Sequence, residues 1–180
     1  MTYAFVLFTA FRFGYDAEQN GYLFAYVGVI AIIGQGVLFN RMVGKFGEAK
    51  MIVTGCLLMI AAFFAMPYLR PEYGGLGGLL AVCTMMSIGN ALASPALTSL
   101  VSKISGDHEQ GSALGILQSG ASLARAIGPM IGGVLLNNAL NTIDDRTVTR
   151  TFWAAAAIMF VAFLASVYVM RTVREHPAIA

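Results

Sequence analysis

Charge is what this sequence has least of. Only 11% of its 180 residues are Asp, Glu, Lys or Arg, whereas an ordinary soluble domain carries about 25%. With 58% apolar residues, the shortage excludes a solvated globular domain and predicts a membrane chain. A net charge of +2 spread thinly between apolar runs excludes a nucleic-acid surface. Cysteine is nearly absent too. Cys56 and Cys83 lie inside apolar runs, without CxxC spacing or a nearby histidine, so neither a disulfide framework nor a metal centre is supported, and no cofactor is expected. The opening MTYAFVLFTAF has no basic n-region and no A-x-A-like cleavage site, which argues against a signal peptide. It is also too short to cross a bilayer.

Long apolar runs are what the chain does have. A span needs about 20 mostly apolar residues at ~1.5 Å each. Five runs qualify: 21–40, 51–68, 76–101, 112–139 and 152–170. The connections are short and polar, and none of the nine acidic residues lies within a span. Short connections force successive helices to alternate direction. Arg41, Lys45, Lys50, Lys103, Arg171 and Arg174 then share one side, and Arg12, Arg70, Arg146 and Arg150 the other. The bias of basic residues predicts that the RMVGKFGEAK loop and the tail 171–180 are cytoplasmic. Tyr22, Tyr68, Tyr73 and Trp153 fall near span ends, where aromatic belts form.

Two spans carry polar stripes. In 76–101, Thr84, Ser87, Asn90, Ser94 and Thr98 fall on one face, with Gly89, Ala93 and Ala96 opposite. In 112–139, Gln118, Ser122 and Arg125 share a face, and Ala121, Ala124, Gly128 and Gly132 form a small-residue stripe beside it. Spans 51–68 and 152–170 have almost no polar residues, so they are expected to face lipid while the striped pair lines a polar pathway. Single hydroxyls can bond back to their own helix, but an amide or guanidinium is not satisfied so locally. Arg125 stands about 13 residues into its span, roughly 20 Å along it, and a charge at that depth is a functional hypothesis by default. Pro95 and Pro129 each remove a backbone donor, so bends are expected there. His108 and His176 read as solvated, and GKFG lacks phosphate-loop spacing.

Two motifs resemble the major facilitator superfamily, in particular its drug:proton antiporter branch of tetracycline-efflux-like transporters. In GQGVLFNRMVGKFGEAK, the residues Gly36, Leu38, Arg41, Gly44, Lys45, Phe46, Gly47 and Glu48 are similar to the family's basic cytoplasmic loop. In GILQSGASLARAIGPMIGG, the residues Gly115, Gly128, Pro129, Gly132 and Gly133 fall at the antiporter-motif spacing G-x8-G-x3-G-P-x2-G-G. Asn40 stands where the loop motif often has an acid, and Ala124 replaces the second motif glycine.

The resemblance implies an all-α polytopic bundle. Residues 1–180 would form the C-terminal six-helix half of the fold, with residues 2–11 as the end of a truncated first helix. It further implies small-molecule efflux by alternating access, with protons as a coupling ion and no covalent chemistry. Ser87, Asn90, Ser94, Gln118, Ser122 and Arg125 would line the pathway. The expected partners are the bilayer, a substrate, and an N-terminal six-helix half in the same or a separate chain that supplies a carboxylate to Arg125. The competing reading is a free-standing membrane half acting as an assembly or regulatory module. An intramembrane enzyme is disfavoured, because no span pairs a nucleophile with a base or gathers metal ligands.

Overall fold

The computed structural model describes the backbone of residues 2–106, 108–136 and 143–175, and their side chains from residue 4 to residue 172. These residues form seven α-helices: α1 (Thr2–Phe13), α2 (Ala17–Ile33), α3 (Asn40–Phe46), α4 (Glu48–Ala65), α5 (Gly75–Ile104), α6 (Gln110–Leu136) and α7 (Asp145–Glu175). A π-helical segment, Gly34–Phe39, joins α2 to α3, so 17–46 is one continuous rod of 30 residues. Among the described residues, five helices are long and apolar enough to cross a membrane.

The helices exceed the predicted spans at several ends. α2 starts at Ala17 because Asp16 caps it: Gln19 N–H donates to Asp16 Oδ1 at 2.9 Å, and the Asp16 amide donates to Gln19 Oε1 at 3.1 Å. The stretch RMVGKF, read above as loop, is helical as far as Gly47, whose φ of +80° ends the rod and starts α4. α7 begins at Asp145 rather than 152, because Asp144 caps it through the Thr147 amide at 2.8 Å. It continues to Glu175, so the first half of the expected tail is helical. Residues 176–180, and the end of the 112–139 span beyond Leu136, lie outside the described residues. α5 and α6 each run unbroken through their proline.

α4 and α5 cross most tightly. A Cβ on Gly55 would lie 2.5 Å from the Gly89 carbonyl oxygen and 2.8 Å from Ala93 Cβ, so the small face expected on α5 is the face that meets α4. Met51, Cys56, Leu92 and Ala96 close over this crossing. A second cluster around Phe8, Phe63, Leu79 and Phe152 joins α1, α4, α5 and α7. α4 is therefore enclosed by α5 and α7 on one side. Lipid contact, expected for the whole span 51–68, is left to an outer edge that includes Leu57 and Phe64. A helix without polar residues fits lipid and core equally well, so composition alone cannot tell the two faces apart.

Three polar ties hold the frame. Thr9 donates to Asn20 Oδ1 at 2.6 Å between α1 and α2. Glu48 pairs with Lys103 and accepts from Ser99, fixing the start of α4 to the end of α5. At the other end of the bundle Asp145 bridges Arg12 (2.6 Å) and Arg70 (2.7 Å).

Candidate functional site

A cleft of about 1070 Å³ opens between α2, α5 and α6, with α4 behind it. Its apolar wall includes Val27, Ala31, Met59 and Phe63; its polar groups are Ser87, Asn90 and Arg125, beside Gly128 and Pro129. Arg125 is the fifteenth residue beyond the start of α6, roughly 23 Å along a helix of about 40 Å. Pro129 has no amide to offer the Arg125 carbonyl one turn earlier. The guanidinium does not turn back to that carbonyl; Nη2 donates to Ser122 Oγ at 3.2 Å.

The expected pathway residues divide between places. Ser87 lines the cleft, but it is buried and donates to the Val27 carbonyl at 2.9 Å, which makes it a tie between α2 and α5. Thr84 does the same through Tyr26 at 2.7 Å. Asn90 is exposed and borders both this cleft and a second pocket of about 480 Å³ between α4, α5 and α7. Ser94 belongs to that second pocket and not to the cleft with Arg125. Thr98 bonds back to the Ser94 carbonyl at 3.2 Å, as isolated helix hydroxyls do. Gln118 and Ser122 are exposed on the α6 face that carries Arg125, but neither lines the cleft.

α6 exposes two different faces. Ile116, Leu123, Ile127, Met130 and Val134 form an exposed apolar stripe, and Gln118, Ser122 and Arg125 lie roughly 140° around the helix from it. The glycines of the small-residue stripe and of the motif around it make no close helix contact among the described residues. A Cβ at Gly115, Gly128 or Gly133 would meet nothing within 4 Å, and at Gly132 only Ala4 Cβ at 4.0 Å. Gly128 and Gly132 instead border a shallow groove shared with α1 and α7. Spacing marks residues as small; it does not say what lies opposite them.

In the loop motif Gly47 supplies the positive φ and Glu48 the link to Lys103. Asn40, at the position of the family's acid, donates to the Gly36 carbonyl at 2.8 Å inside the π-helical segment. Arg41 and Lys45 are exposed, and Gly36 and Gly44 have open space where a Cβ would stand. Sequence reasoning passed over Met59 and Phe63, because a uniformly apolar helix gives no sign of which edge turns inward.

The family model of the Major Facilitator Superfamily matches residues 1–180. The chain belongs to this superfamily. Membership, with five span-length helices, makes it a multi-pass membrane protein of a transporter family and not an enzyme. It is 28% identical over 139 residues to tetracycline resistance protein, class B, of Escherichia coli, covering 77% of this chain and 33% of that protein. It is 31% identical over 137 residues to multidrug resistance protein 1 of Bacillus subtilis, covering 76% and 34%. It is 33% identical over 146 residues to multidrug resistance protein MdtH of Yersinia pestis, covering 78% and 33%. The chain thus spans about a third of the length of these curated relatives. No solved structure matches it.

Proposed function

We propose that this chain forms the C-terminal half of a secondary transporter that exports amphipathic small molecules across the cell membrane by alternating access. The cleft holding Asn90 and Arg125 would be its side of the substrate pathway. The observation that carries this reading is the division of α6 into an apolar stripe and a polar face around Arg125, both exposed. Hydrocarbon suits the first and not the second, since a guanidinium facing lipid at mid-depth is costly. The polar face therefore needs a cover, and a second six-helix half closing over the cleft would provide it, with a carboxylate or an anionic substrate group opposite Arg125. The resistance proteins among the relatives point to drug-like cargo. Mixed walls of Met, Phe and Val with few polar groups suit such compounds. Proton coupling would draw on a carboxylate outside this cleft, since no acid among the described residues lines it.

Single cysteines at Asn90 and Ala124, both of which line the cleft, test the reading in the transporter that contains this half. Both should react with a small impermeant thiol reagent, and transported substrate should slow the reaction. A cysteine at Ile116 on the apolar stripe should react slowly and show no protection. Equal reactivity at all three positions, or no protection at any, would remove the pathway from this cleft.

A further inference from the structure

We propose that a second cavity, at the end of the bundle opposite the Gly47 turn, binds the phosphate of an anionic lipid head group. The inference rests on the cavity itself and not on the transport reading. It measures about 890 Å³ and is walled by Arg12, Arg70, Arg146 and Arg150 against a single carboxylate, Asp145, which leaves a net charge of +3 around it. Asp145 is already held between Arg12 and Arg70. Arg150 donates to the Leu135 carbonyl at 2.6 Å and caps the end of α6. Arg146 is exposed, with no ion pair to another described residue.

The second observation is Arg12. Its side chain is only 9% exposed, and its Nε is buried without a hydrogen-bond partner, although Nη1 and Nη2 reach Asp145 and the Pro67 carbonyl. A buried N–H of a charged group left unpaired is costly, so Arg12 keeps donor capacity that Asp145 and the Pro67 carbonyl do not use up. α7 starts at Asp145, so the positive end of its dipole adds to the same potential.

The rim points to a lipid source. Tyr68, Tyr73 and Trp153 border the cavity and are all exposed, and Trp153 stacks on Phe64 at 5.6 Å and 8°. Amphipathic aromatics at a helix end sit at head-group level, where a lipid phosphate arrives with its glycerol and acyl chains against them. Four guanidiniums against one carboxylate set up a positive potential there, and a lipid phosphate is the anion that head-group depth supplies.

Trp153 is the single tryptophan of the chain, so its fluorescence reports on this cavity alone. The 180-residue chain is reconstituted into vesicles of phosphatidylcholine with a minor fraction of phosphatidylglycerol, with one lipid or the other carrying brominated acyl chains that quench on contact. At equal mole fraction brominated phosphatidylglycerol should quench several-fold more than brominated phosphatidylcholine. Arg146→Gln should weaken that preference roughly fivefold, and Arg146→Lys should retain most of it. Inorganic phosphate added to pure phosphatidylcholine vesicles should leave the emission unchanged. Equal quenching by the two lipids in the wild-type chain would overturn the proposal without recourse to any variant. So would an undiminished preference in Arg146→Gln, and so would a response to phosphate alone, which would assign the cavity to a dissolved anion.

Discussion

The crossing of α4 and α5 gives the sharpest stability prediction. In Gly55→Ala the new Cβ would stand 2.5 Å from Gly89 O, 2.8 Å from Ala93 Cβ and 3.0 Å from Ala93 N. Two of those atoms are backbone and cannot rotate away, so the helices must part by roughly half an ångström to an ångström. A gap of that size forfeits a quarter to a half of the contact attraction around it. Overpacking of this kind costs about 1–3 kcal/mol, and the better helix propensity of alanine offsets up to about 1 kcal/mol. A net loss of about 1–2 kcal/mol corresponds to a fall of roughly 2–8 °C in Tm for a chain of this size. Thermal unfolding in detergent, followed by circular dichroism at a fixed protein-to-detergent ratio, measures it. Gly128→Ala is the matched control, because its Cβ meets nothing within 4 Å, and its Tm should not fall. Wild-type melting of Gly55→Ala, or an equal fall in Gly128→Ala, would refute the reasoning.

One other perturbation follows from the polar ties and one from the assigned topology. Asp145→Asn removes the carboxylate between Arg12 and Arg70 and leaves the nine-tenths buried Arg12 poorly matched; because Asp145 is half exposed, the expected cost is about 1–2 kcal/mol, read as a lower Tm in the same assay. For topology, an impermeant thiol reagent applied to intact cells should miss Lys50→Cys and label Glu72→Cys, with little background from the buried Cys56 and Cys83; the reverse pattern would invert the assigned sides.

The five spans were legible because hydrocarbon thickness converts directly into a run of apolar residues, and no buried acid broke those runs. Their ends were less so. The polar TVTRT segment, residues 147–151, reads as lying outside a span, yet Thr147 and Thr151 are buried in α7, where Thr151 donates to the Thr147 carbonyl at 2.8 Å. The glycines of GQG fall inside the predicted span 21–40, and nothing local marks the π-helical turn that they form within the continuous rod. The small face of α5 was legible from its period and proved to be where α4 packs. The matching small stripe of α6 obeyed the same period, but among the described residues its glycines meet only Ala4, beside Gly132. Ser87 and Thr84 look identical in sequence to pathway hydroxyls, and only the position of α2 reveals them as interhelix ties. The Arg12–Asp145–Arg70 bridge joins residues 75 to 133 positions apart, and no local pattern encodes such a separation.

In the proposed transporter Arg125 serves the pathway and not the fold. Substrate flux should be measured beside membrane abundance for Arg125→Ala and Arg125→Lys in the transporter containing this half. Because the guanidinium meets only Ser122 among the described residues, abundance should stay near wild type in both variants. Flux should collapse in Arg125→Ala, and most of it should be lost in Arg125→Lys, since an ammonium cannot reproduce the planar, two-pronged donor set that a carboxylate or anionic substrate would engage. Unchanged flux in Arg125→Ala, or a fall in flux that merely follows a fall in abundance, would show that Arg125 does not serve the pathway.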